Sequence, residues 1–130
     1  MTATDEAVQL IRVAAKAAHD KQAENIVAFD VSQHLAITDA FLVASASSER
    51  QVGAVVDAVE EALLTIGRKP VRREGDRENR WVLLDFVDAV IHIQHEEERV
   101  LYNLERLWKD CPPIDVDLPA DNMPSQSMRS

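Results

Sequence analysis

The sequence predicts an α/β domain, with a single mixed sheet of about five strands packed with about three helices. Two stretches with oxygen caps repeat apolar residues at helical spacing. Several short apolar runs, bounded by polar turns, read as strands. The best-marked helix lies between two of those strands, which is the order of a right-handed crossover unit. With 130 residues the chain suits one domain that can bury a real core.

Thr4, followed by Asp5 and Glu6, opens the first helix by placing a cap oxygen and carboxylates at the positive end of the dipole. Ala7, Leu10, Ile11, Ala14, Ala15 and Ala18 continue at helical spacing, and so many alanines imply close approach to a sheet. Ile26–Phe29 reads as a short buried strand closed by Asp30, and a polar connection through Ser32, Gln33 and His34 leads to a second strand over Ala40–Ser45. Ser48 and Gln51 have capping-box spacing. Behind them Val52, Val55, Val56, Val59, Leu63 and Ile66 form one stripe, and Gly67 is placed to end the helix. A strand over Val71–Glu74 and a polar turn over Gly75–Arg80 follow. Trp81–Leu84 and Ala89–Ile93 are two apolar strands joined by Asp85–Asp88, expected to be central or covered on both faces. Glu96–Glu98 open a last helix, whose expected buried stripe is Val100, Leu101, Leu104, Leu107 and Trp108. The domain is expected to span 1–111. Residues 112–130, rich in proline, aspartate and serine, are expected to form a disordered tail.

The net charge is −9, and it is unevenly distributed. Residues 1–67 and 81–130 each carry 4 basic against 10 acidic groups, whereas residues 68–80 carry 6 basic against 3 acidic. Autonomous nucleic-acid binding needs a broad basic face, so this chain would mostly be repelled by phosphates. A basic protein partner fits better, although an acidic excess also serves solubility. The basic segment, with Arg68, Arg72, Arg73, Arg77 and Arg80, reads as a guarded strand edge or as a peripheral contact to ribonucleic acid once another surface has docked. The single cysteine, Cys111, excludes an internal disulfide or a multi-cysteine zinc site, and its neighbour Pro112 suggests an exposed helix end. There is no basic-then-apolar leader pattern and no apolar run near the ~20 residues of a membrane span. The expected compartment is the cytoplasm, with no membrane partner.

No catalytic constellation emerges. The Ser45–Ser48 turn could cradle a phosphate, but it lacks a Walker lysine or dinucleotide glycines, and capping is its ordinary role. Asp85 and Asp88 are the usual residues of a turn. His92 lies on a strand and His95 at a helix start, so the two do not converge on a metal. No catalytic residue, cofactor or metal is expected. Trp81, at the junction of a polar turn and a strand, either caps the core or anchors an interface beside Phe86 and two aspartates.

Several blocks together resemble the ribosomal silencing factor family, also called RsfS or Iojap. They are Thr38-Asp39-Ala40-Phe41-Leu42-Val43-Ala44-Ser45, Arg50-Gln51-Val52, Glu74-Gly75, Trp81 through Asp88, Val90-Ile91-His92-Ile93, and Glu98 through Trp108. Ala40 stands where that family is usually aromatic, and Ala46 and Asn79 where it often has glycine. The resemblance implies a topology like that of nucleotidyltransferases without their catalytic carboxylates. It further implies a repressor that binds the large ribosomal subunit through ribosomal protein L-fourteen and blocks joining of the small subunit. The partner-binding surface is expected to include Trp81, Leu83, Asp85, Phe86 and Asp88, with Thr38 and Asp39 nearby. The free protein is expected to be able to pair as a homodimer. Two other readings stand beside this one: an assembly factor for the large subunit, and a phosphate-handling enzyme using the Ser45–Ser48 turn.

Overall fold

Thr4 Oγ1 accepts from Ala7 N at 3.1 Å and so starts α1 (Asp5–Asp20), as its cap position predicts. In the computed structural model, which describes residues 3–75 and 78–118, the remaining elements follow in order. They are β1 (Glu24–Asp30), β2 (Ala40–Ala46), α2 (Glu49–Thr65), β3 (Arg72–Gly75), β4 (Trp81–Asp85), β5 (Ala89–His95), α3 (Glu96–Tyr102) and α4 (Leu104–Leu107). The strands form one sheet in the order β1-β2-β5-β4-β3. Only β2 and β5 run parallel; β1–β2, β5–β4 and β4–β3 are antiparallel, so the sheet is mixed as expected. The helix α2 therefore connects β2 to β3 across two intervening strands rather than to a neighbour.

The core lies on one face of this sheet, beneath α1 and α2. The alanines Ala7, Ala14, Ala15 and Ala18 are fully buried, which lets α1 approach the strands closely. Val52, Val55, Val56, Val59 and Leu63 of α2 meet Leu42, Ala44, Ile91, Ile93, Val82 and Leu84 from the strands. Ile66, expected to complete the α2 stripe, is 39% exposed because it sits at the C-cap, past the last helical turn. Gly67 follows at φ 78, the left-handed stop that its position predicts. Only half of the capping box forms. Ser48 Oγ accepts from Gln51 N, but the Gln51 side chain reaches Lys21 O instead of returning to the cap.

Three further expectations are corrected. The last helix breaks at Asn103, which adopts φ 42, and most of its apolar stripe does not face inward: Val100, Leu101 and Leu107 are exposed, whereas Leu104 and Trp108 are half-buried. Residues 112–118, assigned to the tail, instead run beside β1. Asp30 N donates to Pro112 O, Ile114 N donates to Ala28 O, and Ile114, Val116 and Leu118 pack on the core. Cys111 is buried at 5% exposure by this return of the chain, and burial pushes its thiol pKa up. The expectations for residues 119–130 and for Arg77 fall outside the described residues.

Candidate functional site

Alternation along β4 decides which of its side chains can meet a partner. Val82 and Leu84 are buried in the core, while Trp81, Leu83 and Asp85 are half-buried on the opposite face of the sheet. Register places Leu83 opposite His92, and Asp85 between Arg72 and Val90, with Phe41 beyond Val90. This second face is aromatic and only partly covered. The Trp81 ring lies 4.9 Å from Tyr102 and 6.0 Å from His92; Phe41 lies 5.2 Å from both His92 and Trp108.

His92 is 7% exposed, and its Nδ1 accepts from Trp81 Nε1 at 3.2 Å. An acceptor at Nδ1 puts the proton of the neutral ring on Nε2. Burial pushes its pKa down to about 4, so the ring is neutral at physiological pH. His95 points elsewhere: its Nδ1 accepts from Glu97 N and caps α3. No cluster of three or more potential metal-ligating side chains occurs among the described residues.

The Asp85–Asp88 turn is tightly determined. Val87 N donates to Asp85 Oδ1 at 2.8 Å, Phe86 N to Ala89 O at 2.9 Å and Asp88 N to Phe86 O at 3.0 Å. With Val87 at φ 75, the last bond closes a three-residue turn of the rare γ type. Thr38 and Asp39 are brought to it from the β1–β2 connection. Thr38 Oγ1 donates to Val87 O at 3.1 Å and Asp39 N to Asp88 O at 2.8 Å. Of the seven residues expected at the surface, Thr38, Asp39, Asp85 and Asp88 therefore meet at this turn, while Trp81 and Leu83 lie farther along β4 on the open face. Phe86 is the exception, because it is 3% exposed and packs into the core. It holds the turn from below and offers no area to a partner in this conformation.

The two aspartates are also less open than the sequence suggests. Arg68 Nη2 meets Asp88 Oδ1 at 2.7 Å, and Arg72 Nη2 meets Asp85 Oδ2 at 3.2 Å. The basic segment thus folds back on the acidic turn. Its other described arginines are similarly engaged, Arg73 with Glu60 and Arg80 with Glu49, Glu97 and Glu98. These pairings tie much of the segment's described positive charge to carboxylates of the same chain.

The Ser45–Ser48 turn serves the fold. Ser48 caps α2, and Ser45 Oγ donates to Glu24 O and accepts from Arg99 Nη1. Sequence reasoning missed Arg99, which is 7% exposed and also grips Glu105 Oε2 at 2.7 Å. It missed Phe41 and the outward side chains of α3 as well. The periodicity of residues 98–108 suggested a single helix, and nothing in the spacing signalled the break at Asn103.

Comparison with known proteins adds a separate line of observation. The family model described as "Ribosomal silencing factor during starvation" matches residues 4–130. The ribosomal silencing factor RsfS of Bacillus subtilis is 39% identical over 108 residues, covering 83% of this chain and 92% of that protein. The chloroplastic protein Iojap of Zea mays is 36% identical over 105 residues, covering 78% of this chain and 44% of that longer protein. A Chromobacterium violaceum protein of known crystal structure superposes with a TM-score of 0.74 at 31% identity, covering 78% of this chain and 84% of that one.

Proposed function

The chain belongs to the ribosomal silencing factor family, and from that premise we propose that it represses translation by binding the large ribosomal subunit. The observation that carries the reading is the family match across residues 4–130, joined to a half-open aromatic sheet face. In this reading the protein is not an enzyme. It acts by occupancy, and its binding free energy must exceed what is gained by subunit joining at the same surface.

The proposed contact is ribosomal protein L-fourteen. Trp81 and Leu83 would supply apolar area, and Asp85 and Asp88 would meet basic side chains, with Thr38 and Asp39 holding the turn. A chain of net charge −9 would be steered toward such a basic protein surface and away from bare ribonucleic acid. A cytoplasmic location belongs to the same proposal. No helix among the described residues is long and apolar enough to cross a membrane, and one relative is named chloroplastic, so the family is not confined to one compartment.

Cosedimentation with purified large and small subunits tests the proposal. The expected result is binding to free large subunits, exclusion from joined ribosomes, and a dose-dependent loss of subunit joining. Binding that leaves joining intact would favour the assembly-factor reading, and no binding would refute both.

A further inference from the structure

The segment α3–α4 is inverted in polarity. Arg99 points inward at 7% exposure and His95 at 8%, while Val100, Leu101 and Leu107 are 79%, 71% and 68% exposed. Beneath the segment lie buried polar atoms with no hydrogen-bond partner among the described residues: His92 Nε2, both amide atoms of Gln94, and Glu105 Oε1 on α4 itself. Such atoms carry a desolvation penalty that counts against the closed arrangement.

The break between the two helices is what permits this arrangement. Asn103 sits in the left-handed region at φ 42 and serves as the C-cap of α3 and the N-cap of α4. Across it, Arg99 Nη2 and Nε reach Glu105 Oε2 at 2.7 Å and 3.0 Å. Residues six apart on a continuous helix lie about 120° and about 9 Å apart, outside the spacings at which side chains meet. The ion pair can therefore form only in the broken state. On a continuous helix, Val100, Leu101, Leu104, Leu107 and Trp108 would fall within one stripe about 120° wide. The sequence is written for the straight form, and the structure shows the latched one.

We propose that α3–α4 is a latched strap that straightens when the partner docks. Asn103 leaves the left-handed region, the Arg99–Glu105 pair opens, and the apolar stripe is presented as one face beside Trp81. The identity of the partner rests on the proposed function; the two-state strap does not. Val100, Leu101 and Leu107 already line one concavity in the latched form. Docking of an apolar surface would stabilise the straight form because that form adds the half-buried Leu104 and Trp108 to the patch.

Asn103→Ala and Asn103→Gly both remove the side-chain acceptor for Arg106 N, so their difference isolates the backbone preference. Alanine favours helix and penalises the left-handed region, and glycine does the reverse. Asn103→Ala should bind purified large subunits about five- to tenfold more tightly than Asn103→Gly. In the free Asn103→Ala protein, carbon chemical shifts should show unbroken helix through residues 100–106. Left-handed shifts persisting at residue 103 in that variant would overturn the strap, as would affinities of the two variants equal to within about twofold. If no protein bound, wild type included, the proposed function would fall, and the chemical shifts would still decide the strap.

Discussion

The indole N–H of Trp81 donates to Nδ1 of His92 at 3.2 Å, tying the half-open face of β4 to a buried neutral histidine on β5. The pair does two things. It fixes the orientation of the half-buried Trp81 ring of the candidate surface, and it requires His92 to remain unprotonated. A proton on Nδ1 would turn the acceptor into a second donor facing the indole.

Acid should therefore destabilise the protein through this pair. The folded-state pKa of His92 is lowered by burial from 6.5 to about 4, so the unfolded chain binds the extra proton first. The contribution of His92 to stability is complete above the unfolded value and is lost as the pH falls from about 6.5 toward 4, amounting to about 3 kcal/mol. Urea denaturation across that range should show stability rising with pH, and His92→Asn should flatten the slope. An equal slope in both proteins would refute the assignment.

Trp81→Ala should weaken binding to the large subunit by about 2 kcal/mol or more, the scale of an interface anchor. Trp81→Phe keeps most of the apolar area but loses the donor to His92, so it should retain more affinity while losing some stability. Equilibrium binding, with near-ultraviolet circular dichroism to confirm folding, distinguishes the two effects. Full affinity in a folded Trp81→Ala protein would remove Trp81 from the surface.

Arg68 masks Asp88 at 2.7 Å, with both side chains about one-third exposed. Such a pair contributes under about 1 kcal/mol to folding, but it neutralises a carboxylate proposed to meet a basic partner. Arg68→Gln should leave stability nearly unchanged and raise the association rate with large subunits at low salt by about twofold or more. Asp88→Asn should lower that rate. Stopped-flow measurements over a salt series would contradict the idea if Arg68→Gln associated more slowly.

Val87 is β-branched yet holds φ 75, a conformation whose strain is of order 1–3 kcal/mol. Glycine there would relieve the strain at an entropic cost of about 0.5–1 kcal/mol. Val87→Gly should therefore stabilise the protein by about 1 kcal/mol in urea denaturation. A clear loss of stability would mean that the exposed Val87 side chain does more for the turn than its contacts indicate.

Local chemistry made much of the fold legible. Thr4, Ser48 and Gly67 mark helix ends because capping depends on adjacent residues and backbone geometry. The valines of α2 declare their buried face because helical period and burial agree there. The Asp85–Asp88 turn was equally clear in outline, and Asn79 accepts the left-handed φ of 55 at a position where the resembling family often has glycine. Residues 98–108 misled because their period is that of one buried helix, whereas Arg99, Ser45 and Glu105 draw the polar side inward across three elements.

By itself, the sequence determined the kinds of element, their order, the family and the acidic turn beside an aromatic, all of which depend on spacing and composition along the chain. Only the tertiary structure decided which of those groups face outward. Strand register sent Trp81 and Leu83 to the open face, and the β4–β5 connection sank Phe86 into the core. Folding also brought Arg68 and Arg72 back onto Asp88 and Asp85. Pairing between residues far apart in the chain depends on the closure of the sheet, which no local pattern encodes.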